Sequence, residues 1–265
     1  MSEEILINVT PVETRVALVE NGMLQEVYVE RTSNAGIVGN IYKGRVVRVL
    51  PGMEAAFVDI GLERAAFIHA SDVAELGGSE AGETPRTVPD IRSLLREGQS
   101  IIVQVTKDPI GTKGARLTTH LSIPSRYLVY MPAMSHVGVS QRIEEESERK
   151  RLRGLIQNVA HEYELDSGGY IVRTAAESVG EEDIRRDMAY LNRLSSSIME
   201  SARDVAAPSV IYEDLPLFIR TVRDLVRPQT EKIRIDSRES HEKLLAFADR
   251  FVAELKEMIE FYPGE

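Results

Sequence analysis

Two phenylalanines and a histidine between Gly44 and Ser71 (GRVVRVLPGMEAAFVDIGLERAAFIHAS) are the first side chains here that could do chemistry. In AAFVDIG, strand alternation puts Ala56, Val58 and Ile60 on one face and Phe57 and Asp59 on the other. AAFIHA repeats the pattern, with Ala66, Ile68 and Ala70 on one face and Phe67 and His69 on the opposite one. The faces carrying Asp59 and His69 are expected to be wet. Phe57, Phe67 and His69 would then form a surface on which single-stranded bases stack. The alternation fits equally well a sheet buried on both faces, with both phenylalanines in a second core. The pattern alone leaves both readings open.

Three further positions suit phosphate. Lys113 sits between glycines in GTKG, where a phosphate could come close to the backbone, or where a plain turn lysine would serve. Arg173-Thr174 joins a guanidinium fork to a hydroxyl in a strand that is otherwise apolar. Alternation points these two side chains oppositely, so both reach one phosphate only near the strand's end. The alternative is a core arginine paired with Glu177. Arg142 in SQRIE either lines a nucleic-acid path or pairs with Glu144 to Glu146.

Other chemistry has little support. Asp236, after EKIRI, is a lone acid, and one acid does not make a two-metal site. The histidines at 120, 136, 161 and 241 show no ligand spacing. HExxH, GxxxxGKS and GxSxG motifs are absent. With no cysteine, disulfides and thiolate metal sites are excluded, which fits a cytoplasmic location.

The 265 residues suffice for one large domain or two to three small ones, and 43% hydrophobic with 28% charged residues is ordinary globular composition. A net charge of −10 argues mildly against a nucleic-acid partner, but binding depends on local potential. Basic residues gather near Lys107, Lys113, Arg116, Arg126 and Arg142. MSEEILINVT has no basic stretch before an apolar run, and no run approaches the ~18 apolar residues of a membrane span.

These side chains need a scaffold. Residues 4–32 predict two or three strands turning at Asn21-Gly22, and residues 39–73 three more. A Gly/Pro/Glu loop at 75–90 precedes a helical turn at 91–96. The strands SIIVQVTKD and ARLTTHLSI follow. Five strands in about 80 residues point to a small barrel of the OB type. Beyond it, YLVYMP and GYIVRTAAE predict strands. Glu144–Glu164 and Glu181–Ala206 predict helices, with a break at 166–169 and an apolar stripe from Ile184 to Ile198. IYEDLPLFIRTVRDLV and ESHEKLLAFADRFVAELKEMIEFY predict helices around a strand, EKIRIDS.

Gly44–Ser71 followed by EGQSIIVQVTKD and ARLTT resembles an S1 RNA-binding domain. NIYKGRV, LPGMEAAFVDIG, GTKGARLTT, PSRYLVYMP, VGVSQRIE and GYIVRTAAE together resemble the bacterial ribonuclease E/G family over nearly the whole chain. SQRIE and the short N-terminus put the resemblance on its ribonuclease G side.

The resemblance implies an α+β fold. An RNase H-like subdomain (1–36 and 216–265) carries an inserted S1 barrel (37–120) and a small α/β 5′-sensor subdomain (121–215). It implies that Phe57 and Phe67 stack bases beside His69, and that Lys113 contacts the RNA backbone. Arg173 and Thr174, helped by the backbone at Val129, would hold the 5′-monophosphate of RNA. The family's Mg²⁺-binding aspartates lie in a DNase I-like subdomain with no counterpart here. The chain is therefore expected to bind single-stranded, 5′-monophosphorylated RNA, not DNA, and to be inactive alone. The RNase H-like part is expected to be scaffold. A homo-oligomer is implied for the full-length enzyme. The alternative is a complete, non-catalytic RNA-binding or regulatory protein.

Overall fold

The computed structural model describes residues 2–34, 36–74, 89–162, 168–227 and 229–263. It divides into two compact units, Met1–Gly36 with Leu215–Glu265, and Ile37–Asp214.

The chain opens with β1 (Glu3–Val9), β2 (Glu13–Glu20) and β3 (Met23–Arg31). Asn21 and Gly22 turn β2 into β3 with φ of 48° and 78°. A tight two-residue hairpin needs this left-handed pair, and Asn and Gly adopt it with least strain.

The second unit begins with β4 (Ile41–Leu50), β5 (Ala55–Asp59) and β6 (Ala66–His69), then α1 (Ile91–Leu94), β7 (Ser100–Lys107) and β8 (Arg116–Thr118). The strands pair in the order β4-β5-β6-β8-β7, and β7 returns to β4 with Ile41 opposite Gln104 and Arg45 opposite Ser100. The five strands thus close an OB-type barrel. Val46, Val58, Ile68, Val103 and Leu117 fill its interior, and Ile91 and Leu95 of the α1 segment pack into the same core.

Next come β9 (Ile123–Pro124), β10 (Leu128–Met131), β11 (Val137–Val139), α2 (Glu146–Glu162), β12 (Gly169–Val172) and α3 (Glu181–Asp204). The strands form a sheet in the order β11-β12-β10-β9. Ile184, Met188, Leu191 and Ile198 of α3 are buried at helical spacing, while Leu194 is only half-buried and Ser195 takes the deeper place. β13 (Ser209–Tyr212) then pairs antiparallel with β4. Lys43 on β4 donates from Nζ to the carbonyls of Ala202 and Val205 at 2.8 and 2.7 Å. Its charge thereby caps the negative end of the α3 dipole.

The chain finishes the first unit with α4 (Leu217–Asp224), β14 (Thr230–Ile235), α5 (Arg238–Phe251) and β15 (Ile259–Phe261). The sheet order is β15-β14-β1-β2-β3, with β1, β14 and β15 parallel and β2 reversed. That is the order and polarity of an RNase H-like sheet. Ile5, Ile7, Val16, Ile233 and Ile235 pack against Phe218 and Val222 of α4 and Leu244 and Ala248 of α5.

Several elements differ from expectation. The strand expected over ARLTTHLSI ends at Thr118, where Thr119 N–H donates to Asp72 O and His120 N–H to Thr118 Oγ1. GYIVRTAAE is a strand only to Val172, and Thr174–Ala176 is a 3-10 turn. The helix expected from Ile211 starts at Leu217, because Val210 and Tyr212 pair with β4 and Pro216 takes the N-cap position. The last predicted helix ends at Phe251, and Ile259–Phe261 is a strand. Its β-branched and aromatic residues complete a parallel pair with Ile233–Ile235. The loop at 75–90 falls largely outside the described residues, as do 166 and 167 of the expected break, while Gly168 has a φ of 95° and Gly169 already opens β12.

Candidate nucleic-acid interface

The barrel decides between the two readings of the phenylalanines. Ala56, Val58, Ala66 and Ile68 are fully buried, whereas Phe57, Asp59, Phe67 and His69 are half-buried and lie outside the barrel core. Among the described residues no second core covers them. Phe57 and Phe67 are direct cross-strand partners, and so are Ala55 and His69. The histidine Nδ1 accepts from Ser71 N–H at 3.2 Å and meets Ser71 Oγ at 2.8 Å. With Nδ1 accepting, a neutral ring carries its proton on Nε2, which leaves Nε2 as the donor.

The register extends this pair into a row across the barrel. Arg48 on β4 lies opposite Phe57, Arg116 on β8 opposite Phe67, and Lys107 on β7 opposite Arg116. Two aromatic rings, attractive to any base, are thus flanked by cations suited to the backbone of the same strand. Asp72 holds the Arg116 guanidinium, with 3.1 and 2.9 Å bonds from Nε and Nη2. The sequence showed Lys107 and Arg116 only as nearby basic residues.

Lys113 is exposed on a turn closed by reciprocal backbone bonds with Ile110 at 3.2 and 3.0 Å. The Arg64 guanidinium donates to Gly111 O and ties this turn to the β5–β6 connection. Two residues on, Ala115 O accepts from Phe67 N–H at 2.8 Å, so the lysine turn leads directly to the aromatic strand. The glycine after Lys113 also has an internal reason. A Cβ on Gly114 would collide with the carbonyl oxygen of Ala65, so strand packing by itself requires glycine there.

The second group lies at one end of the β11-β12-β10-β9 sheet. β12 ends at Val172, so Arg173 and the exposed Thr174 stand at a strand terminus, as a shared phosphate would require. Arg173 N–H donates to Tyr127 O at 2.8 Å, and its Nη1 donates to Ser125 O. The alternative pairing with Glu177 is not made: Glu177 is exposed and has no ion pair among the described residues. Val129 lies on β10 between Pro124 and Ile171. Arg126, next to this end, places its guanidinium 5.3 Å over the Tyr127 ring.

Arg142 belongs to the same region. Ser140 N–H donates to Val172 O at 3.0 Å, and Arg142 N–H donates to Ser140 Oγ at 3.4 Å. Its side chain is exposed and makes no ion pair among the described residues. The acids after it are not its partners; Glu146 pairs with Arg149 at 3.5 Å instead.

Sequence reasoning missed Asp187, a buried carboxylate on α3. Its Oδ2 accepts from Ser125 Oγ at 2.5 Å and from Tyr127 and Leu128 N–H at 3.0 Å each. Burial pushes its carboxyl above the ordinary range, against the smaller downward pull of these hydrogen bonds. The sequence did hold one signal: Asp187 falls on the apolar stripe beside Ile184, Met188 and Leu191.

Asp236 does not fit a Mg²⁺ centre. Its carboxylate accepts from Asn8 Nδ2 and, at 2.9 Å, from Val9 N–H. Among the described residues no three histidines or acids converge on one point, and no helix is long and apolar enough to cross a membrane.

Comparison with known proteins agrees with this layout. The S1 RNA binding domain pattern matches residues 37–117, and the Ribonuclease E/G family pattern matches residues 122–265. Ribonuclease G of Escherichia coli (strain K12) is 53% identical over 266 residues, covering 100% of this chain and 54% of that protein. Ribonuclease G of Haemophilus influenzae is 51% identical over 98% of this chain and 53% of that protein. Ribonuclease E of E. coli (strain K12) is 35% identical over 99% of this chain and 25% of that protein. The chain spans about half the length of the ribonuclease G relatives it matches. With the S1 pattern over residues 37–117, the family pattern over 122–265 and relatives 53% identical along the whole chain, the chain belongs to the ribonuclease E/G family.

Proposed function

We propose that this chain is the RNA-recognition part of a ribonuclease G-type endoribonuclease acting on single-stranded RNA in rRNA maturation and RNA decay. The observation that carries this is the row Arg48, Phe57, Phe67, Arg116, Lys107 across the barrel face. Rings hold bases of any sequence, and the cations, with Lys113, hold the phosphates between them. Arg173 and Thr174, with the backbone at Val129, bind a 5′-monophosphate, and Arg142 extends that cationic edge. The fork of a guanidinium beside a hydroxyl suits the terminal phosphate better than a bridging one, because the terminal group offers more oxygens and more charge.

Phosphodiester hydrolysis with Mg²⁺, and any homo-oligomer, belong in this proposal to the longer enzyme. Asp236, committed to Asn8 and Val9, is left as scaffold.

The test is a low-salt anisotropy titration with two RNAs of about 10 nucleotides, a length within the site size of an OB barrel. They share a sequence and differ only in a 5′-monophosphate or a 5′-hydroxyl. Both should bind, the phosphorylated one more tightly. No binding of either RNA would overturn the proposal. Cleavage of either by the purified chain with Mg²⁺ would overturn its non-catalytic part.

A further inference from the structure

Asp187 has a place in the Arg173 site that the proposed function does not use. Its carboxylate spends its hydrogen bonds on one short turn, Ser125 to Leu128, accepting the Ser125 hydroxyl and the N–H groups of Tyr127 and Leu128. The N–H of Arg126 donates to it as well. The carbonyls of the same turn serve Arg173. Ser125 O accepts from its guanidinium and Tyr127 O from its backbone N–H.

One peptide group, Tyr127–Leu128, is therefore bonded at both ends. Its N–H points to Asp187 and its carbonyl to Arg173. Hydrogen bonds on the two ends of a peptide polarise it in the same sense, so each strengthens the other. A neutral, apolar side chain could fill the space between α3 and β10, since a buried charge is weak evidence for stability alone. What the carboxylate adds is direction: it holds the N–H side of the turn and leaves the carbonyl side to aim the guanidinium.

We propose that Asp187 is the positioning residue of the 5′-phosphate site. It fixes the Ser125–Leu128 turn, whose carbonyls set the direction of Arg173. This rests on the 5′-phosphate reading of Arg173 and Thr174.

The experiment compares the wild-type chain with Asp187→Asn, Ser125→Ala and Arg173→Ala. The quantity read is the affinity for 5′-monophosphate RNA divided by that for the matched 5′-hydroxyl RNA. Asparagine keeps the shape and, with its amide oxygen in the place of Oδ2, can still accept, but it loses the charge and sets an NH₂ beside a turn whose backbone groups donate. The ratio in Asp187→Asn should fall about tenfold or to unity, the effect of losing an aligned charge-assisted bond. Binding of the 5′-hydroxyl RNA should stay within about twofold, because the barrel face carries it. Ser125→Ala should lose less of the ratio, since the backbone bonds to Asp187 remain. If Arg173→Ala erases the ratio while Asp187→Asn keeps it, the positioning role is overturned and the 5′-phosphate reading survives. If Arg173→Ala keeps the ratio, or the wild-type ratio is one, both are overturned. Should Asp187→Asn fail to melt cooperatively, Ser125→Ala decides, and an unchanged ratio there overturns the role.

Discussion

Phe57 and Phe67 face each other across the β5–β6 pair, with ring centroids 6.3 Å apart and planes at 67°. This edge-to-face contact is worth about 0.5–1.5 kcal/mol and holds both rings in place before any ligand arrives. Planes so steeply inclined cannot sandwich one base between them. Each ring offers its own platform, and a strand crossing the face would change direction between the two. Arg48 and Arg116, one register step outward on either side, lie where the adjoining phosphates would pass.

Replacing Phe57 with alanine should weaken binding of single-stranded RNA by about 1–3 kcal/mol, whatever its 5′ end. Phe67→Ala should do the same. The double variant should lose less than the sum, because either single change also removes the edge-to-face contact. Anisotropy titrations of the three variants check this. Stability should fall by little more than the edge-to-face contact contributes, because both rings lie outside the barrel core.

Arg173→Ala should leave the 5′-hydroxyl RNA bound as before and remove the advantage of the 5′-monophosphate. Paired titrations at one salt concentration read this directly. Equal weakening of both RNAs would instead put Arg173 on the general RNA path.

Glu148 should make the fold acid-sensitive. Two bonds of 2.7 Å from the Arg151 guanidinium, then one of 2.9 Å from Ser178 N–H, hold its carboxyl down at about 2. A depressed folded value stabilises the folded state above the ordinary carboxylate range, and that contribution is lost as pH falls from there toward about 2. Discounted for its surface position, Glu148→Gln should cost about 1–2 kcal/mol at neutral pH. Denaturant melts of both proteins should converge as the pH is lowered through that window.

Lys43→Met should destabilise the second unit by about 1.5–3 kcal/mol, since it leaves two carbonyls at the end of α3 without their charged donor. Chemical denaturation measures the loss. Phe57 and Phe67 are on other strands, so RNA affinity of the folded fraction should be unchanged.

Gly114→Ala should cost about 3 kcal/mol or more, because the new methyl meets a backbone oxygen that cannot move aside without disturbing β6. Gly111→Ala meets no atom in that way, although its φ of 57° keeps a milder strain. A melt of each separates a packing role for Gly114 from a role in phosphate approach. The packing role predicts lost stability, and phosphate approach predicts lost affinity with stability intact.

The alternation of AAFVDIG and AAFIHA was readable because one face of each strand must enter the barrel, and a period of two admits only one assignment. The same holds for the Asn21-Gly22 turn, whose backbone few other pairs adopt without strain. Elements that depend on a distant partner were not readable. Ile259–Phe261 follows a long helical pattern and becomes a strand only because β14 offers an open parallel edge. Asp187 stands 62 residues from the serine it holds, and its place on the apolar stripe signals burial without naming that partner.

The flanking cations show the division most clearly. Pairing of β4 with β5 shifts register between Val46 and Arg48, and pairing of β7 with β8 shifts between Val105 and Lys107. Unbroken ladders would set Val47 opposite Phe57 and Thr106 opposite Arg116. Each bulge advances one strand by a residue and brings Arg48 and Lys107 into the aromatic row instead. Local alternation could place the phenylalanines on a face, because a side chain's face depends on its own strand. Which residues stand beside them depends on how separate strands come into register, and that is settled only when the barrel closes.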